Sequence, residues 1–295
     1  MINEKLNNLY YSNESFFIFC NLIGSPITRD KFFSKLMNNY LVPNSLNKEI
    51  ELRIKELKEK SITNNIVFYD DSVARLNNWQ YDGKFLHLEF SKTTYFEFAA
   101  LNGGINKHVT ELNKNISLKE YLAEDPHDLR ASRLPNPLGV NISVILDSES
   151  KLAFSKRAYA NFESPNVLSS VIGGTMSIGK GDLDSSGNPD PFKTVIREAH
   201  EEMGVELNEQ DIAFFGIGRN LLNLKPELYG EVRLNITEKD LRELWLNSSD
   251  SSEINELLFV DLNVKSVIEI IENHKWSPSG RTATLASMIH ALLVQ

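Results

Sequence analysis

One short run, Pro191 to Met203, constrains the fold of this chain more than any other part of the sequence. Its apolar residues recur with the period of a helix and form one stripe along it. Three carboxylates, Glu198, Glu201 and Glu202, fall together on another side of the same helix. The run therefore predicts a helix that packs one side on a core and presents an acidic cluster on the other.

Residues at both ends of the run agree with this prediction. Asp190 is a favourable N-cap, Pro191 suits the first helical position, and Gly204 suits the left-handed position after the last turn. A solvated acidic face is the simplest alternative, since like charges at this spacing repel each other and only a bound cation would reverse the cost. The context favours a functional cluster, because an apolar pair and the glycines Gly173 and Gly174 precede the helix.

The segment from Arg197 to Val205 resembles the second half of the Nudix box, G-x5-E-x7-R-E-U-x-E-E-x-G-U, in which U is a bulky apolar residue. Every fixed position of that half is met, although Ala199 is small for its place. In the first half, twenty-three residues separate Gly173 from Arg197 where the box has thirteen, so about ten are inserted. The early glutamate of the box falls on Pro189. The acidic residues that are candidates to replace it are Asp182, Asp184 and Asp190.

Weaker similarity extends outside the box to the UDP-glucose, or nucleoside diphosphate-X, diphosphatase type of this superfamily. The similar segments are Asn136-Pro-Leu-Gly, Gly216-Ile-Gly-Arg-Asn and Glu227-Leu-Tyr. The resemblance implies hydrolysis of the pyrophosphate linkage in a nucleoside diphosphate joined to another group. A nucleotide sugar such as UDP-glucose, giving UMP and a sugar 1-phosphate, is the first candidate. The alternatives are ADP-ribose, other nucleotides, and a Nudix-fold module that binds a nucleotide without cleaving it.

The resemblance also implies a role for each residue of the box. Glu201 and Glu202 are expected to bind Mg²⁺ or Mn²⁺, and Glu198 to bind a second ion or to lie outside the inner ligand shell. Arg197 is expected to orient one of these glutamates. Carboxylates suit the task because Mg²⁺ prefers oxygen ligands, and the bound ion neutralises a diphosphate and acidifies water. We therefore expect the three glutamates to form the metal site and, with Arg197, the catalytic site.

Further candidates lie outside the predicted helix. Glu227 precedes a predicted strand, and it is a candidate for an additional ligand or for the base that aligns water, against the alternative of an ordinary surface residue. Gly173 and Gly174 are expected to border the substrate. Arg157 and Arg219 are expected to contact phosphate, with structural salt bridges as the alternative.

Three other side chains have a structural interpretation that we favour. His200 occupies a variable position of the box, so an exposed helix residue is expected. Trp276 is interpreted as a core or lid residue and not as a stacking partner for a base. Lys180 lies in the inserted loop and is interpreted as solvated, with a phosphate contact as the alternative.

Composition agrees with an intracellular enzyme whose main ligand is not nucleic acid. The 295 residues carry a net charge of −9 without a long basic run, which argues against nucleic acid as the main ligand. The single cysteine excludes an internal disulfide. The apolar stretch Phe16 to Ile23 is too short to span a bilayer and follows no basic segment. We expect a cytoplasmic protein that binds a small nucleotide, not nucleic acid or a membrane, with a homodimer left open.

The apolar patterns predict a layered α/β sandwich behind a mostly helical N-terminal extension. The resemblance implies that this α/β fold is a Nudix-type α/β/α sandwich with a mixed sheet. Residues 1–65 are predicted to form the extension, 66–135 an α+β segment, and 136–295 the Nudix domain. Within the extension, helices are predicted over Ile27 to Met37 and Asn47 to Lys60.

Strands are predicted where apolar residues alternate or form short runs. These are Ile66 to Tyr69, Lys84 to Phe90, Val140 to Leu146, Leu152 to Lys156, Ile212 to Ile217, Leu228 to Leu234 and Leu257 to Val260. Two helices are predicted to follow, one over Val264 to Glu272 and a last one capped by Ser279.

Overall fold

The computed structural model describes residues 2–64, 68–109, 114–159 and 163–294, which form eight α-helices and thirteen strands. The helices are α1 Ile2–Tyr11, α2 Asn47–Asn64, α3 Tyr95–Leu101, α4 Leu118–Leu122, α5 Pro191–Met203, α6 Glu238–Leu246, α7 Val264–Asn273 and α8 Pro278–Leu293. The strands are β1 Phe16–Asn21, β2 Phe32–Leu36, β3 Ser72–Tyr81, β4 Leu86–Thr94, β5 His108–Val109, β6 Lys114–Ser117, β7 Gly139–Leu146, β8 Lys151–Arg157, β9 Leu168–Ser169, β10 Ile172–Thr175, β11 Ile212–Asn220, β12 Pro226–Leu234 and β13 Ile254–Asp261.

Eight of the strands form one mixed sheet. Its order is β1-β11-β12-β7-β8-β13, with β10 paired to β7 and β9 to β8. Strands β12 and β7 run parallel, and the other pairs of this sheet are antiparallel. Strand β7 pairs with β10 near its start and with β8 near its end, so the sheet forks along this strand. The smaller sheets are β2-β4-β3 and β5-β6.

Helices cover both faces of the large sheet. One core contains Ile142 and Val144 of β7 together with apolar residues of α5, α6 and the three-stranded sheet. The other contains Ile145 of β7 together with residues of α1, α7 and α8. Neighbouring residues of a strand point to opposite faces, so one apolar strand supplies both cores. The predicted α/β sandwich with a mixed sheet is confirmed.

The N-terminal region departs from the mostly helical prediction. The predicted helix over Ile27 to Met37 is wrong, because Arg29–Lys31 form a single 3₁₀ turn and Phe32–Leu36 form β2. Strand β2 pairs in parallel with β4, a partner distant in sequence, and such pairing leaves no local signal. The apolar stretch after Asn13 forms β1, which pairs with β11 of the large sheet. The helix predicted over Asn47 to Lys60 is present as α2.

The predicted division into three segments stays a prediction. Strand β1 belongs to the predicted extension and yet lies in the same sheet as strands from 136–295. Residues 65–67 lie outside the described residues, and they include the predicted boundary after residue 65 and part of the strand predicted over Ile66 to Tyr69. The described residues include no helix that is long and apolar enough to cross a membrane.

The later helices begin at side chains that cap them. Asp190 accepts a hydrogen bond from the backbone N–H of Phe192, and Gly204 ends α5 with φ of 65°. Both predictions for this helix are confirmed, and glycine suits the left-handed conformation because it has no Cβ. The last helix is capped by Ser277, with Pro278 in its first turn, so the cap predicted at Ser279 is wrong by two positions.

Candidate active site

Helix α5 packs its apolar residues into the core on one side and presents charged residues on another side. Phe192, Val195 and Met203 are fully buried in the first core. Glu198 and Glu201 lie on the other side and line a pocket of about 840 Å³. The predicted separation of an apolar stripe and an acidic face therefore positions the carboxylates at a cavity.

The pocket lies where β7, β8 and β10 diverge. Gly173 and Gly174 of β10 and Asn141 of β7 form part of its wall. The charged residues that line it are Asp71, Arg157, Glu163, Lys180, Arg197, Glu198, Glu201, Lys225, Glu227, Asp250 and Glu253. The structure thus brings together four of the five residues predicted to be catalytic, Glu202 being the exception, and three of the four predicted to bind substrate.

Arg197 links the acidic residues of this wall. Its Nε and Nη2 donate to the two oxygens of Asp182 at 2.9 and 2.8 Å. Its Nη1 lies 2.9 Å from Glu198 and 2.8 Å from Glu201. Burial acts to lower the pKa of Arg197, but Asp182 and the two glutamates raise it overall. The expected orienting role of Arg197 agrees with these contacts.

Of the three loop carboxylates, Asp182 is the one that reaches the box arginine. Its side chain is 1 % exposed, and besides Arg197 it accepts a hydrogen bond from the N–H of Ser177 at 2.8 Å. Asp184 instead accepts hydrogen bonds from its own loop at Ser186, and Asp190 caps α5. Both oxygens of Asp182 are engaged, so this carboxylate organises Arg197 and is not directed into the pocket.

Glu198 and Glu202 are neighbouring carboxyl groups, the first half-buried and the second buried. Glu202 is 4 % exposed and accepts a hydrogen bond from the N–H of Gly173 at 3.0 Å, behind the pocket wall. Burial raises the pKa of both residues. The charges of Glu198 and Glu253 raise the pKa of Glu202 further, whereas the charge of Arg197 partly opposes the rise at Glu198. A Cβ on Gly174 would lie 1.8 Å from Oε1 of Glu198, so a glycine is needed for the carboxylate to fit against β10.

Glu201 is the neutralised member of the cluster. Its carboxylate accepts hydrogen bonds from Lys180 at 2.9 Å and from Arg197 at 2.8 Å. Partial burial acts to raise its pKa, but the hydrogen bond from Lys180 and the charge of Arg197 hold it below its usual range. Glu201 therefore stays ionised and paired to cations of the chain.

The donor set of α5 suits a hard divalent cation. Carboxylate oxygens are the ligands that Mg²⁺ and Mn²⁺ prefer, and a cation would relieve the repulsion between Glu198 and Glu202. In the described part of the chain, however, no group of three or more His, Cys, Asp or Glu side chains is placed to hold a metal ion. The residues fit the metal by chemistry, while Glu201 is at present directed to Lys180 and Arg197.

Glu227 of β12 lines the same pocket as the α5 carboxylates Glu198 and Glu201. It is 3 % exposed, lines the pocket and accepts a hydrogen bond from Nδ2 of Asn141 at 2.8 Å. Burial raises its pKa to about 7, and the nearby Lys225 partly opposes this rise. A carboxyl group with this pKa can hold or release a proton near neutral pH.

Two cationic groups line the pocket on the side of Glu227. The ammonium of Lys225 donates to Glu163 at 2.9 Å and to Thr175 Oγ1 at 2.9 Å. Arg157, at the end of β8, donates through Nε to the carbonyl of Glu163 at 3.1 Å. Sequence reasoning identified Arg157 and missed Lys225, because a lone lysine before a strand carries no pattern.

Arg219 does not reach the pocket, which corrects its prediction as a phosphate contact. Its side chain is 0 % exposed, and its guanidinium donates to the carbonyls of Leu224 and Asp125 and to Ser132 Oγ and Asn136 Oδ1. With these acceptors it has no donor directed towards a ligand, so the structural alternative applies.

The remaining side chains follow the interpretations that we favoured, with one exception. His200 is exposed and pairs with Glu206. Trp276 packs edge-on against Phe154 and lies outside the pocket wall. Lys180 is the exception, because it lines the pocket and contacts Glu201.

Comparison with known proteins finds similarity in structure only. No family model and no curated protein matches the chain. The similar solved structures include DR0079 from Deinococcus radiodurans, at 16% identity over 51% of this chain and 81% of the other, with a TM-score of 0.35. The Nudix domain of NrtR from Shewanella oneidensis, complexed with ADP ribose, is 13% identical over 58% of this chain and 97% of the other, with a TM-score of 0.35.

A MutT/nudix family protein from Enterococcus faecalis is also similar, at 14% identity over 61% of this chain and 82% of the other, with a TM-score of 0.32. TM-scores this low do not establish a shared fold. Membership of the Nudix superfamily is therefore a proposal that rests on the box residues and their geometry.

Proposed function

We propose that this chain is a Nudix-type hydrolase that cleaves a pyrophosphate linkage with the help of Mg²⁺ or Mn²⁺. One observation carries the proposal. The capped helix α5 presents Arg197, Glu198 and Glu201 to a pocket that Glu227 of β12 also lines. The box was identified from sequence alone, and its charged residues other than Glu202 line a cavity of suitable size for a nucleotide.

The chemistry of the substrate explains why the pocket carries both signs of charge. A pyrophosphate linkage is polyanionic and repels an attacking hydroxide. When bound, the metal would neutralise the phosphate oxygens and acidify a water molecule. Glu198 and Glu201, supported by Glu202 from behind, are the residues that would hold it. In the reaction, a water oxygen bonds to phosphorus, the bridging P–O bond breaks, and the departing oxygen keeps the electron pair.

The other pocket residues have roles in binding and proton transfer. Lys225 and Arg157 carry positive charge on the side of Glu227, where they can bind phosphate oxygens. Glu227 is suited to accept a proton from the attacking water, since its pKa is raised to about 7. Arg197 acts through the carboxylates that it contacts, and Asp182 fixes its guanidinium.

Within this reaction we propose a nucleotide sugar as the substrate, with UDP-glucose as the first candidate. The products would be UMP and glucose 1-phosphate. Support comes from the sequence resemblance around Asn136, Gly216–Asn220 and Glu227. Asn220 and Glu227 line the pocket, whereas Asn136 lies in the buried network around Arg219. Part of the resemblance therefore concerns residues that support the fold and do not line the pocket. ADP-ribose is the competing substrate.

A binding module without hydrolysis is the second candidate. One observation favours it, namely that in the described residues the acidic side chains are not arranged as a metal site. Under this alternative the pocket would bind a nucleotide through its cations alone.

A nucleotide panel tests these proposals. The purified chain would be incubated with UDP-glucose, UDP-galactose, ADP-ribose, dinucleotides and nucleoside triphosphates, with and without Mg²⁺ or Mn²⁺, and the products identified by mass spectrometry. UMP and a sugar 1-phosphate, with the higher specificity constant for UDP-glucose, are expected. A preference for ADP-ribose would overturn the sugar substrate alone. Tight binding without product in either metal would overturn hydrolysis.

A further inference from the structure

The inserted loop before α5 places a cation at the acidic cluster. The ammonium of Lys180 donates to Oε2 of Glu201 at 2.9 Å, and Lys180 also lines the pocket. Glu201 is among the residues that we propose to bind the metal. A positive charge of the chain itself therefore occupies a carboxylate that the metal would need.

The backbone that carries Lys180 is fixed by the start of β3. The N–H of Lys180 donates to Ser177 Oγ at 2.8 Å, and that hydroxyl donates to the carboxylate of Asp71. The N–H of Gly179 donates to the carbonyl of Ser72 at 3.0 Å. A Cβ on Gly179 would lie 2.1 Å from Oδ1 of Asp71, so the loop approaches β3 more closely than another residue would allow. A change of partner at Lys180 thus requires rotation of its side chain only.

Of the two cations that contact Glu201, Lys180 is fixed by fewer contacts than Arg197. The side chain of Arg197 is 14 % exposed, and its guanidinium is anchored by two hydrogen bonds to the buried Asp182. The side chain of Lys180 is 35 % exposed, and within the described residues its ammonium makes one hydrogen bond, to Glu201. A cation that competes for Glu201 would therefore displace Lys180 first.

We propose that Lys180 neutralises Glu201 in the metal-free protein, and that a divalent metal displaces its ammonium, which then binds the diphosphate of the substrate. The inference rests on the proposed function. It explains why the described carboxylates are not arranged around a metal ion, although their chemistry suits one. It also couples the two ligands, since the released ammonium lacks a counter-charge until the substrate supplies one.

Metal binding without substrate tests the first half of the inference. Mn²⁺ affinity would be measured by calorimetry or electron paramagnetic resonance for the wild type and for Lys180→Met. The variant should bind Mn²⁺ about tenfold more tightly, because a competing positive charge is removed. Lys193→Met is the matched control, since Lys193 lies on α5 but pairs with Glu209 at 2.7 Å, and its Mn²⁺ affinity should stay that of the wild type.

Binding of inorganic pyrophosphate in saturating Mn²⁺ tests the second half. Lys180→Met should bind it about tenfold more weakly than the wild type, whereas Lys180→Arg should largely restore binding. Unchanged or weaker Mn²⁺ binding by Lys180→Met, or unchanged pyrophosphate binding, would overturn the inference and leave the hydrolase proposal standing. A wild-type protein that binds no Mn²⁺ would overturn both, so the two failures are distinguishable.

Discussion

Two arginines of this molecule, one half-buried and one fully buried, have opposite surroundings. Arg197 on α5 contacts three carboxylates at the wall of a pocket, and its pKa is raised. Arg219 on β11 donates mainly to backbone carbonyls and neutral side chains, and burial lowers its pKa to about 10. Both residues belong to segments that resemble one enzyme type. Only the structure separates the arginine that organises a site from the one that supports the framework.

The environment of Arg219 is a closed polar network. Glu124 lies 3.7 Å from its guanidinium and is itself buried. Asn136 and Ser132 connect this network to Asn102 and Arg75, so residues from several loops depend on it. The environment of Arg197 is open on one side, where Glu198 and Glu201 face the cavity.

The largest effect should come from removing the framework arginine. Arg219→Met leaves Glu124 buried without its counter-ion, and breaking a buried pair costs about 3–5 kcal/mol of unfolding free energy. Urea unfolding would measure this loss, while KM of the folded variant should stay that of the wild type. A raised KM without a loss of stability would reverse our assignment of the two arginines.

Removing the proposed base should affect the rate more than the fold. Glu227→Gln should lower kcat about a hundredfold, the lower range for general base catalysis. In the wild type, kcat/KM should rise with pH through about 7, because Glu227 must be ionised in the free protein to accept a proton. The variant should not show this rise between pH 6 and 8. A pH profile identical to that of the wild type would exclude Glu227 as the base.

Ionisation of Glu227 should lower the stability of the fold as pH rises, whereas it should raise the rate of hydrolysis. The pKa of Glu227 is higher in the folded state than in the unfolded chain, where it is near its ordinary value. Its contribution is therefore fully present below the unfolded pKa and is lost as pH rises through about 7. Unfolding measured from pH 5 to 8 should show a smaller loss of stability for Glu227→Gln than for the wild type.

A smaller effect is expected at the aspartate that holds Arg197. Asp182→Asn weakens a charge-assisted pair and should cost about 1.5–3 kcal/mol of stability, the range for hydrogen bonds to charged groups. Its Mn²⁺ affinity should stay close to that of the wild type, because both carboxylate oxygens are engaged by the chain. A large loss of Mn²⁺ binding with unchanged stability would make Asp182 a ligand after all.

The smallest effect should be at Asp184, the control in the same loop. Its carboxylate accepts hydrogen bonds from the N–H groups of Ser186 and Asn188 and does not contact Arg197. Asp184→Asn keeps an acceptor oxygen for these N–H groups and should cost only about 0.5–1.5 kcal/mol, the range for a typical hydrogen bond. Thermal unfolding would measure this, and a cost equal to that of Asp182→Asn would show that the loop acts as one unit.

The sequence predicted α5 and its ends because every signal there is local. Asp190, Pro191 and Gly204 each act on their own turn, and the 3.6-residue period requires no distant partner. Strand β2 was missed because its pairing with β4 depends on residues far along the chain. Short apolar runs such as Phe32 and Phe33 fit a helix or a strand equally well.

The candidate site could be predicted from sequence only where its residues follow a local spacing. Fixed spacing identified Glu198 and Glu201, whereas Lys225 was found only in the folded chain. The contact between Asp182 and Arg197 depends on the path of an inserted loop, which spacing does not specify.

The most direct test is the metal dependence of turnover by the wild type and Glu198→Gln on the best substrate of the nucleotide panel. The account predicts that hydrolysis requires Mg²⁺ or Mn²⁺. It also predicts that the variant, at saturating substrate and metal, turns over at least about a hundredfold more slowly, as expected if metal positioning supplies several kcal/mol. Hydrolysis that persists in a chelator, or near-normal turnover by a folded Glu198→Gln protein, would contradict it.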